Sequence, residues 1–405
     1  MAKRRGTADL CTLMNQQCFD VVIIGGGAAG SFCAIHAAAR GLRVAVIEQN
    51  SDIGAKIRVS GGGRCNLSNL YIDPSAYLSD NPNFCRSALA RYTQWDALAW
   101  FDAAGLSYHE KTLGQLFCDQ RSRGVIAALR DAMDVHGVVF YDQAPLATLE
   151  QLSIGFRITT SHSELMADQV VIACGGPSFA KLGGSDLASR LAKQFALRNI
   201  PFRPALVPLT LSEPLTELSG VSTEVVIHCG GAPHFREQLL FTHRGLSGPA
   251  VLQISSYWRK GQTITVDFLP SQREILQAAK ARQPQQTIAQ VLRAHLPNAL
   301  ANYLGQEMSE QPLQHVGNRA LAEYDARLHA WPFLPSGSEG MRKAEVCTGG
   351  IDTRELDPRS FAVKSVPGLY AIGEAVDVTG WLGGYNFQWA WSSAWCCAQA
   401  LGKST

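Results

Sequence analysis

The residues best suited to do chemistry stand near the start of the chain. Asp20-Val21-Val22-Ile23-Ile24 runs into Gly25-Gly26-Gly27-Ala28-Ala29-Gly30, and Val44-Ala45-Val46-Ile47 then leads to Glu48. Gly25 frees the backbone to turn out of a strand, Gly27 lets it approach a pyrophosphate with no Cβ in the way, and Gly30 lets the next helix close on the sheet. Ala28 and Ala29 open that helix, whose unpaired N–H groups bind phosphate. Glu48, with Gln49 beside it, ends a second apolar strand, where a carboxylate accepts both ribose hydroxyls and repels a 2′-phosphate. A glycine turn alone is weak evidence, but strand, helix, second strand and acid in this order spell a dinucleotide site.

The elements around that site decide which dinucleotide it is. Gly368-Leu369-Tyr370-Ala371-Ile372-Gly373-Glu374 is a short apolar strand ending in Gly-Glu, with Asp377 following. In two-dinucleotide flavoproteins this pattern brings a carboxylate to the ribityl chain and pyrophosphate of FAD. Gly383-Gly384-Tyr385-Asn386-Phe387 is a glycine turn at a helix N-terminus, where backbone N–H groups can face the electron-rich edge of a flavin. Gln169 to Ile172, then Gly175-Gly176, reads as the strand and turn by which the chain leaves the cofactor domain. The cofactor expected is FAD.

Gly54-Ala55-Lys56-Ile57-Arg58-Val59-Ser60-Gly61-Gly62-Gly63-Arg64-Cys65-Asn66 closely resembles the signature of the YhiN/BaiN-like family of bacterial FAD-dependent oxidoreductases. The resemblance continues through Leu239 to Pro249, Ala344-Glu345-Val346, Gly349 to Asp352, and Gly380 to Gln388, and so covers about residues 18 to 402. It departs at Cys347, often Thr in the family, and at Gly114 to Cys118, so neither Cys347 nor Cys118 is taken as catalytic. The resemblance adds Lys56, Ser60, Gly61, Gly62, Arg64, Cys65 and Asn66 to the cofactor site. It also implies an activity: its YhiN branch is linked to reduction of a uridine of large-subunit ribosomal RNA to dihydrouridine, other members to amine oxidation or bile-acid metabolism. NADH as a transient electron donor is carried over in the same way, since the chain has no second GxGxxG with a following acid.

With 405 residues, 46% of them apolar, the chain can bury two or three cores. The expected fold is α/β: a Rossmann-like FAD-binding domain of the two-dinucleotide type (18–194 and 345–405), with an inserted β-barrel (195–270 and 331–344) and a helical subdomain (271–330). Residues 1–17 are expected to be a mobile extension. No run reaches the roughly 18 apolar residues of a membrane helix and no secretory signal is evident, so the cytoplasm is the expected compartment. The eleven cysteines are scattered with no framework spacing and read as reduced thiols. No CxxC pair or zinc-type His spacing occurs, so no metal is expected.

A bound flavin carries hydride chemistry, which leaves the protein to bind, orient and protonate. In the favoured reading a uracil is unstacked into a pocket, receives hydride at C6 and is protonated at C5. Cys65 and His243 are the candidate acids. The alternatives are that Cys65 packs beneath the flavin and that His243 bonds to backbone in its loop. Trp389, Trp391 and Trp395 read as helix packing, whereas Tyr385 and Phe387 could face flavin or substrate. A net charge of +2 argues neither way on RNA, so affinity must come from a local patch, with Arg86, Arg91, Lys111, Arg121 and Arg123 as candidates. A small-molecule flavin oxidase or reductase, or a non-catalytic flavin-containing RNA-binding factor, are the rival readings. No stable protein partner is implied.

Overall fold

The computed structural model describes residues 17–402, so the N-terminal extension expected at 1–17 lies, except for Gln17, outside them. The chain divides into two units, one running to Arg203 and resuming at Val346, the other spanning Pro204–Glu345.

The first unit is built on a seven-stranded sheet. Val139–Tyr141, Val44–Ile47, Gln17–Ile24 and Glu164–Ile172 lie side by side in parallel. Val21 to Ile24 and Val44 to Ile47 are buried throughout, so they read as unbroken apolar runs, as in a parallel sheet covered on both faces. One edge of Glu164–Ile172 changes partner along its length. Glu164 to Ala167 pairs antiparallel with Phe156–Thr160, and Val170 to Ile172 pairs parallel with Leu369–Ala371, which brings the C-terminal segment back to the sheet. Helices Ala28–Ala38 and Tyr385–Ala400 pack together, and the first of them lies against the sheet. Trp389 and Trp391 are core: both are buried, and their indole N–H groups donate to Gly373 O (3.0 Å) and Leu67 O (2.9 Å). A small antiparallel sheet of Asn66–Asn69, Gln115–Cys118 and Tyr108–Glu110 adjoins the helix Tyr385–Ala400.

The boundaries differ from those expected from sequence. Strand Asn199–Ala205 pairs with Val346–Ile351, so the first unit extends past 194. In the second unit a single antiparallel sheet runs in the order Trp331–Phe333, Ile264–Asp267, Ser222–His228, Phe235–Thr242, Gly245–Ser247, Leu209–Thr210, Gly337–Ser338. Its two edge strands are joined only by Leu334 to Ser336, a link reaching about 14 Å at most. A flat sheet of seven strands would hold its edges about 29 Å apart, so this one curls on itself. Helices Ile275–Arg282, Ile288–Leu292, Asn298–Met308 and Asn318–His329 belong to the same unit, as does a short helix Pro249–Ser255 amid the strands.

Nine cysteines among the described residues are free thiols. No helix among the described residues is long and apolar enough to cross a membrane.

Candidate functional site

Three glycines of the opening turn stand in different surroundings. At Gly25 φ is +111°, and a Cβ would lie 2.7 Å from Ala173 O. At Gly30 a Cβ would lie 1.9 Å from Gly25 O, so the helix could not close on the strand. At Gly27 a Cβ would meet no protein atom within 4 Å. Nothing in the fold itself asks for glycine there, and the space fits a ligand approaching the backbone. Gly27 is also the N-cap of the helix Ala28–Ala38, with no side-chain cap and no acid in the first turn, which leaves N–H donors of Ala28 to Gly30 for an anion.

Glu48 is buried. Its Oε2 accepts from Gly26 N (2.7 Å) and its Oε1 from Asn50 N (2.9 Å) and Asn50 Nδ2 (2.6 Å). A carboxylate offers about four acceptor positions, so it anchors the turn and still has capacity for a ribose hydroxyl. Gln49 is exposed and donates through Nε2 to Gly183 O, so its side chain clasps the loop after the sheet.

Residues far apart in sequence converge next to this turn. Gly373, at φ +63°, would place a Cβ 2.8 Å from Ala29 Cβ, so the C-terminal Gly-Glu turn lies against the start of the dinucleotide helix. Lys56 Nζ donates to Glu374 Oε2 (2.7 Å), Ser178 Oγ (2.8 Å) and Gly176 O (3.3 Å). Glu374 Oε1 accepts from Ser178 Oγ (3.2 Å) and from Cys347 N (3.0 Å). Gly175 sits over the pair, its Cβ position 3.3 Å from Glu374 Oε2. Lys56 and Glu374, both expected at the cofactor, thus spend their charge first on each other, and Ser178, absent from the sequence reading, joins them. Its only signal was a hydroxyl two residues after Gly175-Gly176. Asp377 is likewise engaged: it is buried, which pushes its carboxyl up, and its Oδ2 accepts from Asp80 N (2.9 Å). Because Lys56 and Glu374 are 32% and 22% exposed, Lys56→Met is expected to cost about 1–2 kcal/mol, less than a fully buried pair. A double-mutant cycle with Glu374→Leu by urea unfolding checks this, and strictly additive effects would show no coupling.

The family signature forms a left-handed turn. Gly61, Gly62, Gly63 and Cys65 have φ of +56°, +68°, +84° and +56°. Ser60 Oγ donates to Ile57 O (2.8 Å), and Arg64 is exposed, its Nε donating to Gly61 O (3.0 Å). Cys65 is fully buried, and burial pushes its thiol up to about 12. A proton donor must be reached by its acceptor, so this position favours packing over acid catalysis. Asn66 is buried with Oδ1 lacking any donor, and a Cβ on Gly384 would lie 2.8 Å from that atom. An orphaned acceptor facing a glycine turn fits a ligand that brings an N–H or O–H group.

At Gly383 and Gly384, φ is +104° and +102°, and a Cβ on Gly384 would strike Ser68 O at 2.2 Å. Gly384 caps the 16-residue helix Tyr385–Ala400, whose first turn carries no side-chain cap and no acid. The side chains named there from sequence turn toward protein. Asn386 exchanges bonds with Gly380 N and O (2.8 Å each), Tyr385 Oη donates to Tyr71 O (3.2 Å), and Phe387 stacks on Trp391 with centroids 5.7 Å apart. Tyr385 and Phe387 thus have protein partners, and the start of this helix also offers backbone N–H groups.

His243 belongs to the second unit. It is exposed on the turn between Phe235–Thr242 and Gly245–Ser247, with no ring hydrogen bond among the described residues. The turn is held without it: Thr242 Oγ1 accepts from Gly245 N (3.1 Å), and Arg244 pairs with Glu339 (3.2 Å). The alternative of a loop histidine bonded to backbone is therefore not what the structure shows. No group of three or more His, Cys, Asp or Glu among the described residues could hold a metal ion.

Comparison with known proteins agrees with this geometry. A Ribosomal RNA dihydrouridine synthase of Escherichia coli is 46% identical over 391 residues, covering 95% of this chain and 98% of the relative. The protein of that name from Haemophilus influenzae is 40% identical, covering 94% and 98%. A 3-dehydro-bile acid delta(4,6)-reductase of Clostridium scindens is 31% identical, covering 94% and 98%. The solved 3-ketosteroid-delta4-(5alpha)-dehydrogenase of Rhodococcus jostii RHA1 aligns with a TM-score of 0.50 at 14% identity, covering 94% of this chain and 97% of that one, which speaks to fold alone. The HI0933-like protein Rossmann domain matches residues 19–400, and with that coverage the chain belongs to the HI0933-like family.

Proposed function

We propose that this chain is an FAD-dependent oxidoreductase that reduces a uridine of large-subunit ribosomal RNA to dihydrouridine, with NADH as electron donor. The observation that carries the reading is the 46% identity over 95% of the chain to a ribosomal RNA dihydrouridine synthase. The residues fit the cofactor: the open approach at Gly27, the buried acceptor Glu48 and the orphaned Asn66 Oδ1 each suit a part of FAD. When bound, FAD supplies the two-electron hydride chemistry. The chain's own residues do the rest. Gly27 and the helix behind it bind the pyrophosphate, the Lys56–Ser178–Glu374 network fixes the Gly175-Gly176 turn, and Asn66 orients the ring end. Saturating the uracil C5–C6 bond takes a hydride at C6 and a proton at C5. For that proton the candidate donor carried from the sequence is His243, which is exposed on its turn, rather than the enclosed Cys65. A ribosomal substrate supports a cytoplasmic location.

The test is anaerobic. The flavoprotein is reduced with NADH, excess donor is removed, and a large-subunit rRNA transcript is added while flavin absorbance and dihydrouridine are followed. Reoxidation with dihydrouridine formed supports the reading. A flavin that stays reduced until a small enone is added would favour the second reading, a small-molecule carbon–carbon double-bond reductase, for which the 31% identity to a bile-acid reductase speaks. Cys65→Ala is expected to keep turnover within about twofold while costing about 1 kcal/mol of stability through a small cavity. A loss of about a hundredfold would return Cys65 to the acid role.

A further inference from the structure

The antiparallel turn between Tyr108–Glu110 and Gln115–Cys118 presents side chains that the fold does not use. Leu113 at its tip is 58% exposed, although it is a large apolar residue, and its φ of +51° is a conformation that favours glycine. Such an outlier points to a role outside packing. Tyr71 beside it is 64% exposed, its ring over Gly114, where a Cβ would lie 2.7 Å from Tyr71 Cδ2.

This tip is wired to the cofactor site. Asn69 is buried and bonded on both sides of its amide. Its Nδ2 donates to Leu113 O (3.0 Å) and to Gly383 O (2.8 Å), and its Oδ1 accepts from Tyr71 N (2.8 Å). One side chain therefore fixes Leu113, Tyr71 and the glycine turn of the C-terminal helix in a common frame. Positive charge adjoins it. Lys111 Nζ and Arg64 Cζ lie 5.7 and 5.3 Å from the centre of the Phe117 ring, both exposed and neither in an ion pair among the described residues. Of the nearby acids, Glu110 accepts from Gly114 N (3.2 Å) and Asp119 pairs with His109 (2.6 Å).

Resting on the RNA-reductase reading, we infer that Leu113 is a wedge that enters an RNA stack where the target uridine leaves it, with Tyr71 stacking on a neighbouring base and Lys111 and Arg64 facing the phosphates. An unstacked base leaves a gap, and an exposed aliphatic side chain on a rigid turn is the kind of group that fills one. An aromatic face next to unpaired cations suits single-stranded nucleic acid, where stacking is sequence-tolerant and the backbone is anionic.

The experiment uses the full-length flavoprotein and a structured rRNA fragment containing the target uridine. It reads dihydrouridine formation, fragment affinity by fluorescence anisotropy at several salt concentrations, NADH-driven flavin reduction and thermal stability. Leu113→Gly is expected to leave stability equal or higher and flavin reduction unchanged, yet to slow reduction of the structured fragment by about tenfold or more. On a short single-stranded oligonucleotide, whose uridine needs no unstacking from a helix, the deficit should shrink to about twofold. Tyr71→Ala is expected to raise Kd about five- to a hundredfold, and Lys111→Ala to reduce the salt slope by about 0.7. If wild type reduces the fragment and the Leu113 and Tyr71 variants match it within about twofold, the wedge is overturned while the RNA-reductase reading stands. If wild type is reduced by NADH but neither binds nor reduces RNA, both fall, and that is seen before any variant is compared.

Discussion

Replacing His243 with alanine is expected to lower kcat/KM for uridine reduction by about 10²–10⁴, the range a positioned general acid contributes, while flavin content and NADH-driven flavin reduction stay at wild-type levels. The separation follows from where the residue stands. The turn that carries His243 is held by Thr242 and by the Arg244–Glu339 pair, and the imidazole takes no part in either. Removing it therefore leaves the turn in place and takes away one proton-transfer group. Donor-driven flavin reduction moves a hydride and asks nothing of this acid, whereas saturating uracil must deliver a proton to C5. Exogenous imidazole should restore part of the lost rate to the alanine variant, a rescue that a purely structural role would not show. If His243→Ala reduces RNA within about twofold of wild type, the proton comes from elsewhere.

The second large effect is a contrast between two glycines three residues apart. Gly27→Val is expected to leave the apo-protein's unfolding free energy within about 1 kcal/mol of wild type. Its φ of −75° and ψ of −171° suit any residue, and a Cβ there meets no protein atom within 4 Å. Flavin content after purification should nonetheless fall to about a tenth or less, because a branched side chain fills the approach that a pyrophosphate needs. Gly30→Val should do the reverse of that separation: its Cβ would collide with Gly25 O at 1.9 Å, so fold and flavin are lost together, at about 3 kcal/mol or more. Absorbance at the flavin band together with chemical unfolding of the apo-protein reads both. Retention of full flavin by Gly27→Val would remove the pyrophosphate from that turn.

The fingerprint was legible in the sequence because each of its parts is local. A buried strand shows as the unbroken run Val21 to Ile24, a sharp turn as Gly25, and the place where a backbone meets a ligand as Gly27 with a helix starting behind it. The curled insertion was legible in kind, through alternation in runs such as Glu224 to His228, but not in its limits. Strand Asn199–Ala205 looks from its residues like part of the insertion, and only its partner Val346–Ile351 assigns it elsewhere.

What the tertiary structure alone decided is which group each functional side chain meets. Lys56 reaches Glu374 across 318 positions of sequence, and Asn69 reaches Gly383 across 314. The rings of Tyr385 and Phe387 turn inward because the helix carrying them packs against elements from the other end of the chain. The burial of Cys65 is invisible in the motif that contains it, since a motif records which residues are neighbours along the chain and not how much water or protein surrounds them. The sequence by itself predicted a dinucleotide site and the turn that would hold it, because backbone conformation near glycine is a local property. Proton donors, ion-pair partners and exposed wedges depend on burial and long-range packing, and those exist only once the chain has folded.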